Sequence, residues 1–509
     1  MKVLWSNSKH ITGLERNLSK DANVCTGQYI FIQLLLPTAN WYDVAHVTID
    51  KLPDVVLLKI FDFYLHEPRL EVEALWYALV HVCQNWRYVV FGSPRRLDLR
   101  LFSNNRTPVK DTLAVWPLLP ISVWGENDAK WGVDNIIAAL EHNDRICQLV
   151  LFEISSSQME KVLAGMQQPF LALKHLRLVA KDDTVAVPAS FLGGSAPRLQ
   201  TFVLRWIPFL GLTKLLLSAT HLVHLDLWGI PPSGYFSPES IVTALSVLTS
   251  LEKLTIGFKS RRSRPNRRPP PQTRTLLPVL NKLRFKGVDG YLEDLVSRID
   301  APLLDNLTIT FFNQLIFDTA QLTQFISRIP NFKGHDKVHV DIADWRVSVI
   351  LLQTRDRSLC LGILCTESDL QLSSLAQVCS SFIPQVLIHA VEHLYIRSSL
   401  SLLHWKQDIV QTSQWLDLFR PFSAVRCLYI SWEFAPRIAP VLQELVGERV
   451  TEVLPALQTL FTDHTNRSGP VQEAIERFVA ARQHTSRPIA VSSRMGEVYW
   501  TLHKRTYVE

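Results

Sequence analysis

The sequence predicts a small all-α module followed by an irregular α/β solenoid of leucine-rich units. Three observations predict it. Within residues 50–87, apolar residues recur at helical spacing on two short segments that carry more apolar surface than so small a unit can bury. From residue 97 onward one template, apolar-x-x-apolar-x-apolar, keeps returning at a near-constant interval. The 28 prolines outnumber the 19 glycines, which suits a chain of many short connections better than a glycine-rich nucleotide-binding sheet.

Composition bounds the answer. At 509 residues the chain exceeds the usual limit of a single core, so several domains or one elongated array are expected. Hydrophobic residues at 47% and charged residues at 20% are ordinary for a folded protein and exclude global disorder. The net charge of +6 is concentrated in one loop and says little about partners. Seven cysteines, at positions 25, 83, 147, 360, 365, 379 and 427, follow no disulfide spacing and are expected as reduced, buried thiols. The N-terminus turns polar at once, unlike a secretory leader, and residues 29–37 are too few to span a bilayer. The protein therefore reads as intracellular, in the cytoplasm, the nucleus or both, with no membrane partner. The sequons at Asn17, Asn105, Asn306 and Asn466 are then coincidental. Residues 1–45 are an N-terminal extension with no assigned role and a candidate for poor order.

The module at residues 46–96 comes next. Asp50 is a candidate N-cap and Pro53 falls near the first turn, where its missing N–H costs nothing. Val56/Leu57, Ile60/Phe61 and Tyr64/Leu65 then form one apolar stripe, ended by His66-Glu-Pro68. A second helix is expected through Leu75, Leu79, Val82/Cys83, Trp86 and Val89/Val90, stopped by Gly92-Ser93-Pro94. Amphipathic pairs are common, so periodicity alone favours an internal hairpin of a larger core.

The residues Leu52-Pro53, Ile60-Phe61 and Val82-Cys83-x-x-Trp86, in this order, resemble the F-box, the helical module through which many proteins plug into cullin-type ubiquitin ligases. The resemblance covers about 40 residues. It implies that Leu52, Pro53, Leu57, Ile60, Phe61, Val82, Cys83 and Trp86 are docking anchors for the Skp adaptor. Two departures stand out: Val55 occupies a position where family members often carry glutamate, and the connection over residues 67–73 is longer than usual.

Residues 97–465 carry the array. Leu97-Asp-Leu99-Arg-Leu101 alternates as a half-buried strand. The template then appears at Ile146, Leu149, Leu151; Leu173, Leu176, Leu178; Leu199, Phe202, Leu204; and Leu222, Leu225, Leu227. It continues at Leu251, Leu254, Ile256; Leu280, Leu283, Phe285; and Leu304, Leu307, Ile309. After a blurred stretch it returns at Val391, Leu394, Ile396 and Val425, Leu428, Ile430, with Leu457 and Leu460 as a partial copy. The first seven copies start 23 to 29 residues apart, the leucine-rich-repeat range. No unit can bury its own leucines, so neighbours must stack. Helical returns are expected over 135–142, 237–248 and 322–329. The asparagine ladder of strict repeats is missing, and an ordinary α/β domain with leucine-rich strands is the competing reading. With the module in front, the chain resembles the F-box/leucine-rich-repeat proteins. At the end, Pro470 opens a helix expected to cap the array within residues 466–485, leaving 486–509 as a tail.

Residues 259–274 hold seven cations, among them Arg261, Arg262, Arg264, Arg267 and Arg268, with prolines and no aromatic. A solvated insertion, a nuclear-import signal and a dock for an acidic or nucleic-acid partner all fit; the lack of aromatics weakens nucleic acid. Cys360, Cys365, Cys379 and His389 follow no zinc spacing, so neither metal nor cofactor is expected. The phosphate-binding, dinucleotide, metalloprotease and nucleophile-elbow motifs are absent. The expectation is a non-enzymatic subunit of an SCF-type cullin–RING ubiquitin ligase, bound to the Skp adaptor and cullin scaffold and holding an unidentified target on its repeats. The alternative is a repeat scaffold whose helical module only caps the solenoid.

Overall fold

The computed structural model describes residues 52–65, 79, 82–92, 99–102, 108–116, 118–126, 132–261, 273–313, 317–343, 345–352, 357–364, 370–381, 385–398, 412–445, 447–462, 469–485 and 487–492. The chain divides into two compact units, Met1–Leu97 and Asp98–Glu509. The expectations for Asp50, Leu75, residues 1–45 and the 67–73 connection lie outside the described residues.

In the first unit, α1 (Asp54–Leu65) and α2 (Gln84–Gly92) form the expected pair. The Pro53 carbonyl opens α1 by accepting from the amides of Val56 (2.8 Å) and Leu57 (3.1 Å). A helix continuous through Cys83 was expected; instead α2 starts after it. The reason is local. The Cys83 thiol accepts from the Trp86 amide at 3.4 Å and the Cys83 carbonyl accepts from Arg87 at 3.1 Å, so Cys83 caps a new helix. Leu57, Phe61, Leu79, Trp86, Val89 and Val90 are buried, and the Phe61 and Trp86 rings meet edge to face at 4.8 Å.

The second unit is built on one sheet. Its first strands are β1 (Leu99–Phe102), β2 (Ile121–Glu126), β3 (Ile146–Ile154), β4 (His175–Ala180), β5 (Thr201–Arg205), β6 (His224–Ile230) and β7 (Lys253–Phe258). A small side pair, β8 (Thr275–Leu276) with β10 (Ile299–Asp300), flanks β9 (Lys282–Gly287). Then come β11 (Asn306–Phe311), β12 (Lys337–Ala343), β13 (Arg346–Leu352), β14 (Ser358–Leu364), β15 (His393–Ser398), β16 (Cys427–Ile430), β17 (Thr459–Thr462) and β18 (Ala490–Ser492). Sixteen of these, all but β8 and β10, form one sheet, and every neighbouring pair is parallel except the two that involve β13.

Register shows that the sequence template is structural. Leu149, Leu176, Phe202, Leu225, Leu254, Leu283 and Leu307 sit opposite one another in turn, and so do Leu151, Leu178, Leu204, Leu227, Ile256, Phe285 and Ile309. All are buried, each worth roughly 1.5–3 kcal/mol on leaving water. The template also extends one turn upstream. Phe170, Ala196, Ala219, Leu248, Leu277 and Ala301 are buried, and each carbonyl accepts from the amide of the first template residue three positions on. A backbone ladder joins the units just ahead of each strand. The carbonyls of Lys174, Gln200, Val223, Glu252 and Asn281 each accept two amides from the next unit.

Crossovers run through α3 (Val109–Val115), α4 (Val133–Leu140), α5 (Ser156–Gly165), α6 (Leu212–Ser218), α7 (Pro238–Leu245), α8 (Asp289–Arg298) and α9 (Ala320–Arg328). Of the three expected returns, 135–142 is α4, 237–248 is α7 and 322–329 is α9, each shifted by a few residues at its ends. Ser237 caps α7, its hydroxyl accepting from the Ser240 amide at 3.2 Å.

The blurred stretch proves to be an inserted antiparallel meander. The sheet order there is β11-β14-β13-β12-β15, so the chain steps past two strand positions, lays down β12 and folds back to β11. From β14 the chain runs through α10 (Leu370–Ser381) and the short α11 (Gln385–Ile388) to β15. β12 itself is a concealed copy of the template. Val338 and Val340 pair with Leu394 and Ile396, which puts His335, fully buried, where the other copies hold leucine, isoleucine or valine.

The C-terminal end corrects a second expectation. After α12 (Thr412–Phe419) and α13 (Ala435–Gln443), α14 (Pro470–Gln483) packs beside α13, and the chain goes on to add β18 parallel to β17. The helix is thus the crossover of a further unit, not a terminal cap, and residues 490–492 belong to the sheet. Its buried residues Ala474, Ile475 and Phe478 repeat the face that the other crossovers turn to the core.

Candidate recognition surface

Strand alternation sends the template residues to the core and the residues between them to the opposite face of the sheet. On β4 to β9 that outer face carries Arg177, Arg205, Lys253, Lys282, Arg284 and Lys286. Asp226 is the one acidic residue in those rows, and it is held by Arg205 at 2.6 Å. Trp228 lies flat in the middle. A Cβ on Gly257 would come within 2.3 Å of its ring, so glycine is what lets the indole cross β7. The Arg284 guanidinium stands over the ring at 4.4 Å and the Lys286 ammonium at 5.6 Å. Burial, together with the charge of Arg284, pushes the Lys286 pKa below the usual lysine value. Arg177 covers Phe152 in the same way at 4.7 Å.

Further along the same face, His339, Tyr395, Tyr429 and Phe461 occupy one row on four adjacent strands. Their rings stack at 4.5, 4.1 and 4.3 Å, nearly parallel. His339 is buried, its Nδ1 has no partner, and its pKa is pulled down to about 3 by burial and then by Arg397 and Lys337. Arg397 pairs with Asp341 beside the row. This aromatic and basic face was legible only as the unassigned residues between the leucines.

The residues singled out from the sequence distribute unevenly. Leu57, Phe61 and Trp86 are buried within the chain, Leu52, Ile60 and Cys83 are half-buried, and Pro53 and Val82 are exposed. Burial of the first three has a plain cause: they are what the two helices pack on. Val55 and Tyr88 are also exposed. Arg261 is exposed at the end of β7, while Arg262, Arg264, Arg267 and Arg268 lie outside the described residues. Cys360 sits on the outer face of β14, Cys379 in α10, and exposed His389 bonds Ser423 at 2.9 Å; Cys365 is outside the described residues. Among the described residues, no three or more His, Cys, Asp or Glu side chains are grouped to hold a metal. No described helix is long and apolar enough to cross a membrane.

No protein-family model matches the chain, and no curated protein matches it. Among solved structures it is similar to the leucine-rich repeat-containing protein LegL7 from Legionella pneumophila. Identity is 13% over 75% of this chain and 97% of that one, with a TM-score of 0.25. At that level the repeat character of the array stands on its own strand register.

Proposed function

We propose that this chain is a non-catalytic substrate receptor of an SCF-type cullin–RING ubiquitin ligase, acting in the cytoplasm, the nucleus or both. The helical pair docks on the Skp adaptor, and the repeat array, a recognition scaffold, holds a target protein. Its chemistry is proximity: tethering raises the target's effective concentration at a ubiquitin-loaded enzyme borne by the cullin scaffold. The observation that supports this reading is the apolar surface the pair leaves over. Val82 remains 55% exposed and Ile60 half-buried on helices whose own core is already filled by Leu57, Phe61 and Trp86. Truncating Trp86 would collapse the pair, so the informative substitutions are at its surface. Val82→Asp with Ile60→Asp is expected to abolish adaptor co-purification, because a carboxylate left unpaired in an interface costs roughly 2 kcal/mol or more. Val82→Arg alone is the milder form. Soluble variants that recover adaptor undiminished would refute the ligase reading.

A second reading has its own support. Leu57, Phe61 and Trp86, three of the eight anchors, already pack inside the chain. A repeat scaffold whose helical module serves only as a cap would show that burial and no adaptor binding.

A further inference from the structure

We propose that the outer face of the sheet from β4 to β9 binds an acidic polypeptide segment, its carboxylates seated on Lys253, Lys282, Arg284 and Lys286 around Trp228. The inference rests on the reading of the array as the part that holds a partner and names the chemistry of that partner. Six cations meet one carboxylate on these strands, and that carboxylate is already taken by Arg205. Arg284 and Lys286 stand close over one indole, where each raises the cost of the other's charge and an incoming anion relieves both. Lys253 and Lys282, opposite each other in register and exposed, extend the charge along the neighbouring row.

The aromatic residues decide between classes of acidic partner. Single-stranded nucleic acid binds such grooves by stacking bases on open rings. Here one side of Trp228 lies against Gly257 and Arg284 stands over the ring, and Arg177 covers Phe152. With these ring faces covered, the surface offers positive charge rather than open stacking platforms, which favours Asp and Glu side chains over bases.

The test uses the full chain and three labelled probes: a Glu-rich peptide, a Lys-rich peptide of equal length and an oligo-thymidine strand, read by fluorescence anisotropy over a salt series. The triple variant Lys282→Glu, Arg284→Glu, Lys286→Glu is compared with a charge-matched control on exposed positions elsewhere, Lys161→Glu, Arg198→Glu, Lys214→Glu. A third variant lacks residues 261–271. Saturable binding of the Glu-rich peptide is expected, weakened about tenfold or more by the sheet variant and with a shallower salt dependence, and unchanged in the other two. If the triple variant misfolds by circular dichroism, Lys253→Gln with Lys282→Gln replaces it at two exposed positions. The proposal is overturned if the Glu-rich peptide does not saturate, if the control or the loop deletion loses as much as the sheet variant, or if oligo-thymidine binds more tightly. Adaptor capture on the same preparations separates the two claims. Loss of adaptor binding with peptide binding intact fails the ligase reading alone, and the reverse fails only this one.

Discussion

His339 shows how one residue ties the recognition face to stability. Buried in the aromatic row, it stays neutral in the folded chain down to about pH 3, whereas the unfolded chain takes up its proton near the ordinary value of 6.5. Between those two values the unfolded state holds more protons, so stability falls as pH falls through that window, by about 1.4 kcal/mol per pH unit at most for one histidine. Burial lowers the pKa of His335 and His175 too, adding to the same slope. His339→Phe, which continues the stack with Tyr395, is expected to flatten the decline in urea midpoint between pH 7 and pH 5, where carboxylates contribute little. An unchanged slope would mean that His339 titrates normally. Gly257 is the other residue on which the face depends. Gly257→Val would drive its branched side chain into the Trp228 ring, and because the clash is with a rigid indole the expected cost is about 1–3 kcal/mol by urea unfolding, with loss of the Arg284 stack.

At the scale of elements, what matters is that each unit contributes one strand and one crossover and leans only on its neighbours. Stability in such an array is close to a sum of local terms. Ending the chain at residue 468 removes α14 and β18, uncovers one edge of β17 and takes away one of the two helices that pack on α13. It also removes Arg482, fully buried and donating to the Leu454 carbonyl at 2.7 Å. Hydrogen exchange of the truncated chain is expected to speed up in β16 and β17 while β4 to β9 keep their protection. Global loss of protection would instead show that the array unfolds as a single cooperative body. The meander is the element that interrupts this simple logic. Its three strands pair in reverse order, and Val340, Val349 and Leu361 still bury one face in continuity with the parallel strands on either side.

For the molecule as a whole, the division at residue 97 sets what can be separated. The described residues of a fragment 46–100 bury few side chains against roughly 1–2 kcal/mol of backbone entropy per residue, so the fragment is expected to be molten or aggregated alone. If the ligase reading holds, excess adaptor should recover it as a soluble complex, since a ligand of the folded form shifts its folding equilibrium. Circular dichroism and gel filtration with and without adaptor read this directly, and a folded monomer indifferent to adaptor would favour the capping scaffold. Deleting residues 261–271 should leave the thermal midpoint of the full chain within about a degree or two, because loop length costs little entropy. A collapse in solubility would show that the run packs within the array.

Much of this protein was determined by its sequence alone. Leucine positions spaced three and two apart fixed which residues face the core, and strand register bears them out from Leu149 to Ile309. Periodicity sufficed because a buried face tolerates nothing but apolar side chains at those positions. Tertiary structure decided the rest. The concealed copy at His335 escaped because a histidine can fill a leucine position only when its ring finds a partner, here the Phe332 carbonyl at 2.6 Å. The start of α2 depended on a thiol acting as a cap, the reversed order of β12 to β14 on pairings between distant segments, and the role of α14 on a strand that follows it. The recognition face was hidden for the same reason. Trp228, Gly257 and the pair Arg284 and Lys286 come from three separate strands, and only the stacking of units places them on one surface.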